Sequence, residues 1–259
     1  MSDFPLRAAL TAEASKVHGG AGAKARLPYL RPRDAATLIV VDRSGSAPRV
    51  LMGKRHEGHK FMPGMFVFPG GRAERSDAAI PVASELLPTI ETALMARCPR
   101  ATAARARRLA LAAIRETFEE TGLVIGLPGM AGANGSGTSG QGPWADFLST
   151  GYLPDLASIR FLARAITPPG RTKRFDTRFF VVEADAIRHK AGDVVGPDSE
   201  LTELAWLSIE ESEKLPLPVI TRVILGELHA ALDAGWPDKA MPVPFYYRRR
   251  EIFQRELLT

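Results

Sequence analysis

The chain has 259 residues, of which 45% are hydrophobic and 24% are charged; these values exclude a disordered chain and allow one well-packed core. A single cysteine, Cys98, excludes a disulfide framework and a cysteine-based zinc site, so we predict a packing role for it in a reducing compartment. The formal net charge of +5 suits a polyanionic ligand but does not identify it.

The first part of the sequence predicts an arm followed by a hairpin. Residues 1–33 are rich in Ala, basic and punctuated by Pro, so we treat them as an arm before a single domain of residues 34–259. The β-branched run Ala36–Asp42 predicts a core strand, and Val50–Arg55 is expected to pair back on it. The first residues lack the apolar segment of a signal peptide, and no apolar run approaches the roughly 20 residues that span a membrane. We therefore expect a cytoplasmic protein with no membrane partner.

The remainder of the sequence predicts alternating helices and strands. Residues 82–97 have helical periodicity, and the Ala- and Leu-rich residues 109–114 favour a longer helix that ends at Gly122. Residues 126–142 contain so many glycines that we expect a flexible loop. The other predicted elements are short helices at Trp144–Leu148 and Leu156–Ile159, strands at Phe161–Ile166, Thr177–Glu183 and Glu203–Leu207, and an amphipathic helix near 218–233. Mixed strands with helices on both sides predict an α/β fold of the α/β/α sandwich type.

The most informative segment of the sequence is Arg115–Leu123. It places Glu116, Glu119 and Glu120 at i, i+3 and i+4, so the three carboxylates share one helix face. Their repulsion destabilises a bare helix, and a bound cation would offset it. Oxygen ligands suit Mg²⁺ or Mn²⁺, which also take up phosphate oxygens. An ordinary solvated acidic face is the alternative interpretation.

A second segment strengthens the interpretation as a metal site. Phe68–Gly71 is a Phe-Pro-Gly-Gly turn upstream of the helix, and the two segments together resemble the sequence box of the Nudix hydrolase family. That box reads Gly, five residues, Glu, seven residues, then Arg-Glu-U-x-Glu-Glu-x-Gly-U, where U is bulky and apolar. The right half matches over Arg115–Leu123, with Thr117 as a departure. In the left half, the position six after the second glycine is Asp77 instead of Glu.

The box is also interrupted. About thirty residues, which we place at 78–108 as a helical insertion, separate its two halves. The insertion leaves the place of Asp77 relative to the helix open, and Glu74 is the alternative carboxylate. An interrupted box resembles the branch of the family that includes the peroxisomal CoA diphosphatases and their bacterial relatives. The signature that precedes the box in that branch matches in part: Leu51, Arg55, Gly64 and Phe68–Gly71 are in register, and Lys60 replaces an Arg.

The resemblance implies a division of roles among the helix residues. Glu116 and Glu120 are expected to be direct ligands of Mg²⁺ or Mn²⁺. Glu119 is expected to be a further metal ligand or the catalytic base. Arg115 precedes Glu119 by four residues and is expected to hold that carboxylate in place.

Residues on the surrounding loops are expected to contact the substrate or the attacking water. Two glycines would bring backbone close to the phosphates, and basic side chains would bind the diphosphate. The predicted substrate-binding set is Arg55, Lys60, Gly70, Gly71 and Arg174, the last chosen from a basic run that also holds Arg171 and Lys173. In some Nudix enzymes a later loop supplies the carboxylate that activates water. For that role we predict Glu200, with Glu183, Asp198 and Glu203 as alternatives.

These expectations define an enzyme. It would be a Nudix diphosphatase that cleaves the diphosphate linkage of a nucleoside-diphosphate-linked compound, with CoA or an acyl-CoA favoured. The alternatives are an ADP-ribose or dinucleotide pyrophosphatase, a Nudix-fold sensor that binds nucleotides without turnover, and an RNA-end processing enzyme. Basic residues are not interleaved with aromatic ones, so nucleic acid is not the expected partner. The sequence leaves a homodimer open.

Overall fold

A central sheet with helices on both faces organises the fold. The computed structural model describes residues 7–16, 30–58, 62–129, 142–192, 194–250 and 252–258. The strands are β1 Arg33–Asp42, β2 Arg49–Arg55, β3 Phe66–Val67, β4 Gly70–Arg72, β5 Leu123–Pro128, β6 Tyr152–Pro154, β7 Arg160–Ile166, β8 Phe175–Glu183, β9 Ile187–Lys190, β10 Leu201–Ser208, β11 Val243–Arg249 and β12 Ile252–Leu258. The helices are α1 Arg7–Lys16, α2 Pro88–Met95, α3 Ala103–Thr121, α4 Pro143–Ser149, α5 Ile209–Glu213 and α6 Val219–Asp233, with short 3₁₀ turns at Ser76–Ala79 and Ala184–Ala186.

The central sheet mixes parallel and antiparallel strands. Its strands follow the order β10-β2-β1-β8-β7-β11-β12, with β3 paired to β2 and β4 paired to β1. The pairs β1–β8 and β7–β11 are parallel, and the other pairs of this sheet are antiparallel. Strands β6, β5 and β9 form a second, three-stranded sheet.

Strand β1 separates two hydrophobic cores, because alternate side chains of a strand point to opposite faces. Leu38 and Val40 are buried in the core that contains the apolar residues of α3. Ile39 and Val41 are buried in the second core, which contains the apolar residues of α6 and also Leu10 of α1. The sheet is therefore covered on both faces, and the predicted α/β/α sandwich with a mixed sheet is confirmed.

An opening in the sheet lies between the first half of β1 and the second half of β2. Strand β1 pairs with β2 only at Val41 and Asp42, whereas its residues 35–37 pair with β4. The backbone N–H of Leu38 donates to the carbonyl of Pro69, which fixes the loop before β4. This arrangement inserts the Gly-Gly turn into the sheet and brings it beside α3.

Helix α3 is delimited by side-chain and backbone caps. The Thr102 side chain accepts a hydrogen bond from the backbone N–H of Arg105 at its start. At its end Gly122 has φ 73°, in the left-handed region, and its N–H donates to the carbonyl of Phe118. The prediction that the helix ends at Gly122 is confirmed, and the helix begins early enough to include residues 103–108 of the predicted insertion.

Most of the predicted elements form, with two departures. The helix predicted over 82–97 is confined to Pro88–Met95, and the predicted helix Leu156–Ile159 is wrong because these residues form a turn. In the predicted Gly-rich loop, residues 126–128 belong to β5, and residues 130–141 lie outside the described residues. The single-domain division and the boundary of the arm stay predictions. None of the described helices combines the length and apolar character that crossing a membrane requires.

The C-terminal hairpin was absent from the prediction. Strands β11 and β12 pair along their whole length, and β11 adds them to the sheet next to β7. No strand was predicted over the basic segment Tyr246–Arg250. The strand β11 is nevertheless part of the core, because its residues Val243, Phe245 and Tyr246 are buried.

Replacing Gly122 by Ala is expected to destabilise the fold by about 1–3 kcal/mol, because the left-handed backbone is unfavourable for Ala. An added Cβ would also lie 2.3 Å from the carbonyl oxygen of Ala191. The measurement is urea unfolding. The matched control is Gly226→Ala in α6, where an added Cβ meets nothing within 4 Å and a gain of about 0.5–1 kcal/mol is expected. Equal effects of the two substitutions would contradict this account.

Candidate active site

The end of α3 presents its carboxylates in two directions. Successive residues of a helix are rotated by about 100°, so in projection Glu120 lies about 40° to one side of Glu116 and Glu119 about 60° to its other side. A cavity of about 610 Å³ opens next to the first pair. Its polar wall at this end consists of Glu116, Glu120, Glu200, Arg55, Gly70 and Gly71. Glu119 is not among the described residues that line it.

The guanidinium of Arg115 lies behind the carboxylates and is only 4% exposed. Its Nη1 donates to Glu116 Oε1 at 3.0 Å and to Glu119 Oε1 at 2.6 Å. Its Nη2 donates to the carbonyl of Arg72 at 2.9 Å. Arg115 therefore orients two of the three predicted carboxylates and ties α3 to the end of β4.

The Asp77 carboxylate is the other partner of Arg115. It is fully buried, and its two oxygens accept hydrogen bonds from Nε and Nη2 of Arg115 at 2.7 and 3.3 Å. It also accepts from Trp144 Nε1 at 2.8 Å and from the backbone N–H of Glu74 at 2.7 Å. Asp77 therefore neutralises Arg115, whereas the Glu74 side chain is half exposed and pairs with Arg72.

Glu116 and Glu120 are held in surroundings that disfavour their charge. Burial raises the pKa of Glu116 to about 7; the guanidinium of Arg115 opposes this rise, and the charge of Glu119 adds to it. Burial also raises the pKa of Glu120 well above its usual range, and the charges of Glu200 and Glu116 raise it further. A cation between these carboxylates would remove both effects.

The Gly-Gly turn fits closely against the carboxylates. The backbone N–H of Gly70 donates to Glu120 Oε2 at 3.2 Å. A Cβ added to Gly71 would lie 2.4 Å from Glu116 Oε2, so a side chain at this position would displace the carboxylate. The backbone of Gly70 and Gly71 therefore lies directly against the carboxylates of α3.

Glu200 reaches the cavity from the loop before β10. Its carboxylate forms an ion pair with Arg55, and its backbone carbonyl accepts from the N–H of His56. The alternative Glu183 pairs with Arg43 instead. Neither it nor Asp198 or Glu203 is among the described residues that line the cavity.

The structure separates the predicted basic residues. Lys60 lies outside the described residues. Arg174 is buried and donates from Nε and Nη1 to the carbonyls of Thr167 and Leu30, and it is not among the described lining residues. Arg171 and Lys173 line the cavity. Two side chains of the basic run line the cavity, but the sequence could not tell which of its members do so.

The donor set fits a hard divalent cation only in part. Among the described residues, no group of three or more His, Cys, Asp or Glu side chains is arranged to hold a metal ion. The buried Glu120 and the partly buried Glu116 nevertheless face one cavity, with a third carboxylate, Glu200, beside them. Oxygen donors of this kind suit Mg²⁺ or Mn²⁺, which complete their coordination with water and phosphate oxygens.

Comparison with known proteins extends this picture. No family model matches the chain. A Caenorhabditis elegans protein with the provisional name nudix hydrolase 7 is 27% identical over 191 residues, which cover 69% of this chain and 52% of that protein. The chain therefore spans about half the length of this curated relative. A solved structure of a NUDIX hydrolase from Alicyclobacillus acidocaldarius is 28% identical, with a TM-score of 0.55, over 77% of this chain and 92% of that one.

The family that both matches support is that of the Nudix hydrolases. The hydrolase structure reproduces the mixed sheet and its helices, so the Nudix fold is shown for most of the chain. The NUDIX domain of Shewanella oneidensis NrtR, solved with ADP ribose, also aligns over 84% of this chain and 97% of that one. Its identity is 11% and its TM-score 0.45, and it carries no argument about the ligand of this chain.

Without a divalent cation, the free energy of unfolding is expected to fall as pH rises from about 4.5 to 7. The pKa of Glu116 is about 7 in the folded chain against an ordinary 4.5, so between these values the folded state binds the extra proton. Glu116 alone accounts for a loss on the order of 3 kcal/mol at most, and Glu120, whose pKa is raised in the same direction, adds to it. The measurement is urea unfolding across this pH range.

Two comparisons isolate the contribution of Glu116. Glu116→Gln should reduce the pH dependence to the part that comes from Glu120, whereas Glu210→Gln, which changes an exposed carboxylate, should leave it unchanged. Saturating Mn²⁺ should restore stability at pH 7, because a cation binds the deprotonated carboxylates preferentially. The same slope in wild type and Glu116→Gln would contradict the account.

Proposed function

We propose that the chain is a metal-dependent Nudix hydrolase that cleaves the diphosphate linkage of a nucleoside-diphosphate-linked compound. The observation that carries this proposal is a pair of carboxylates, the partly buried Glu116 and the buried Glu120, that face one cavity with raised pKa values. Such an arrangement is unfavourable unless a cation is bound, and a divalent cation also attracts a diphosphate. Both relatives carry the Nudix hydrolase name, which supports the same reaction class.

In this proposal Glu116 and Glu120 hold Mg²⁺ or Mn²⁺. The bound ion would neutralise phosphate oxygens and make water a better nucleophile. Arg115 keeps the Glu116 carboxylate in its ligating position through the 3.0 Å hydrogen bond from Nη1. The same nitrogen engages Glu119, so we assign Glu119 a positioning role or an outer contact to the ion, in place of the central role expected from sequence.

Glu200 is the proposed proton acceptor. It lines the cavity beside Glu116 and Glu120, and its ion pair with Arg55 fixes the carboxylate at this end of the cavity. As water attacks one phosphorus atom, Glu200 takes the proton of that water, and the bridging oxygen leaves with the other phosphate. Arg55 is then placed to contact the same phosphate groups.

CoA or an acyl-CoA is the favoured substrate. The residues at 51–71 support it through their partial match to the CoA-type signature. The shape of the cavity adds a second argument. Its floor crosses from β4 over β1 and β8 to β7, where Arg72, Ala35, Thr177 and Ala165 lie in one row. Three strand spacings correspond to about 14 Å, enough for a nucleotide beyond its diphosphate.

A second anionic group of the substrate would meet the far end of this floor. Arg171 and Lys173 line the cavity on the connection between β7 and β8, away from the carboxylates of α3. CoA carries a 3′-phosphate that ADP-ribose and NADH lack. We therefore propose these two residues as the 3′-phosphate contacts, in place of Arg174.

Glu120→Gln is expected to lower kcat at least about 10²-fold, because it removes one charged ligand from the cation site. The assay follows products from CoA, acetyl-CoA, ADP-ribose, NADH and diadenosine polyphosphates with Mg²⁺ or Mn²⁺. Release of adenosine 3′,5′-bisphosphate from CoA, retained in Glu210→Gln, is the expected result. Cleavage of ADP-ribose or NADH alone would keep the reaction and discard CoA. Nucleotide binding without any turnover would favour a sensor.

The double substitution Arg171→Ala/Lys173→Ala is expected to raise KM for CoA about 10-fold or more and to leave KM for dephospho-CoA unchanged. The matched control is Arg188→Ala/Lys190→Ala, which removes the same two charges from exposed residues of β9. An equal rise in KM for both substrates would show that the basic pair does not read the 3′-phosphate.

A further inference from the structure

Cys98 lies in a polar environment, although the sequence predicted a packing residue. It is the chain's single cysteine and lies between α2 and α3, partly exposed to solvent. Its Sγ accepts hydrogen bonds from Arg105 Nη1 at 2.9 Å and from Arg178 Nη2 at 3.4 Å. Two guanidinium groups on one sulfur are not what apolar packing produces.

The cluster around Cys98 carries more positive than negative charge. Arg105 and Arg178, which contact the sulfur, belong to a network of ion pairs. Among the described residues this network joins four guanidiniums and two carboxylates, those of Arg105, Arg108, Arg164, Arg178, Asp34 and Asp176. Arg178 is fully buried within it, and burial lowers the pKa of its guanidinium. An additional anionic group at the sulfur would reduce this excess of positive charge.

Arg178 also has an unused donor near the sulfur. Its Nη1 donates to Asp34 Oδ1 and to the carbonyl of Asp176, but its buried Nε has no hydrogen-bond partner among the described residues. A guanidinium is planar, and the Nε–H bond and one of the two Nη2–H bonds leave the same edge in parallel. Nη2 donates to Cys98 Sγ, so Nε is the neighbour of the nitrogen that contacts the sulfur. An oxygen attached to the sulfur on that edge would satisfy Nε–H.

We propose that Cys98 is an oxidation site, where hydrogen peroxide converts the thiol to a sulfur oxyacid held by Arg105 and Arg178. In the first step the sulfur attacks one peroxide oxygen and the O–O bond breaks. The released hydroxide takes the thiol proton as water, which leaves a sulfenic acid. A second peroxide adds another oxygen in the same way and gives the sulfinic acid. Cys98 is not among the described residues that line the cavity, so this proposal is independent of the proposed function.

The first test measures the rate of oxidation on the wild-type chain. The protein is treated with hydrogen peroxide and dimedone, which traps sulfenic acids, and the adduct is located by mass spectrometry. The folded chain is expected to react about 10-fold faster than the same chain in urea, because only folding places the two guanidiniums at the sulfur. A faster reaction in urea would show that Cys98 is a shielded packing residue and would overturn the proposal. Cys98→Ser is the blank.

The second test compares two arginines of α3. Arg105→Gln removes one donor to the sulfur. Arg107→Gln removes an arginine from the other side of the same helix, where it contacts Ala78, Ile80 and Glu85 and has no hydrogen bond to the sulfur. The adduct rate is expected to fall several-fold in the first variant and to stay at the wild-type value in the second. Equal rates in all three folded proteins would overturn the proposal.

The third test asks what the added oxygens do to the folded protein. Excess peroxide gives the stable sulfinic acid, whose ionised oxygens can accept from Arg178 Nε–H. The Tm of this form is expected to rise by about 2 °C or more over the reduced protein. A packing residue predicts the opposite, because two oxygens would be forced into a filled site. A fall in Tm would therefore overturn the proposal, and Cys98→Ser corrects for oxidation at methionines.

Discussion

The guanidinium of Arg115 joins the three segments that build the site. It is buried, and its hydrogen bonds reach Asp77 in the 3₁₀ turn, the carbonyl of Arg72 at the end of β4, and Glu116 and Glu119 on its own helix. A buried guanidinium requires a partner charge, and breaking such a pair costs about 3–5 kcal/mol. The Gly-Gly turn and the carboxylate helix are therefore held in one position relative to each other by the same group.

This constraint explains how the Gly-Gly turn and α3 can be held together although they are distant in sequence. Asp77 contacts Arg115 directly, so the contact does not depend on the residues between them. Arg107 fixes the start of these intervening residues, since it donates to the carbonyls of Ala78 and Ile80 and pairs with Glu85. The sequence left the position of Asp77 relative to the helix open, and the hydrogen bonds from Arg115 show that position. An aspartate is long enough to reach Arg115 because the 3₁₀ turn that carries it lies directly beside α3.

Elements with local signals were predictable, and those set by distant contacts were not. The β-branched run of β1 and the cap at Gly122 carry their own information, so both were found from sequence. Leu156 and Ile159 have helical spacing, yet they are buried beside the bridge between Ser84 and Asp155 and form a turn. Strand β11 was missed because its place in the sheet depends on long-range pairing with β7, and because its buried residues form a run, Val243–Tyr246, instead of alternating with exposed ones.

The same limit applies within the candidate site. Helical spacing placed three carboxylates on one face, but only the structure shows that Glu116 and Glu120 line the cavity while Glu119 contacts Arg115 outside it. The face thus divides into a pair aimed at the cavity and a third group that supports Arg115. Burial raises the pKa values of the cavity pair, which means that the folded chain without a cation bears an unfavourable charge arrangement. If these two positions served stability alone, an apolar pair of similar size would pack there without that cost. A bound cation would offset the unfavourable free energy that the two carboxylates have without it. This coupling makes cation binding more dependent on pH, and it does not add to the stability of the fold without a cation.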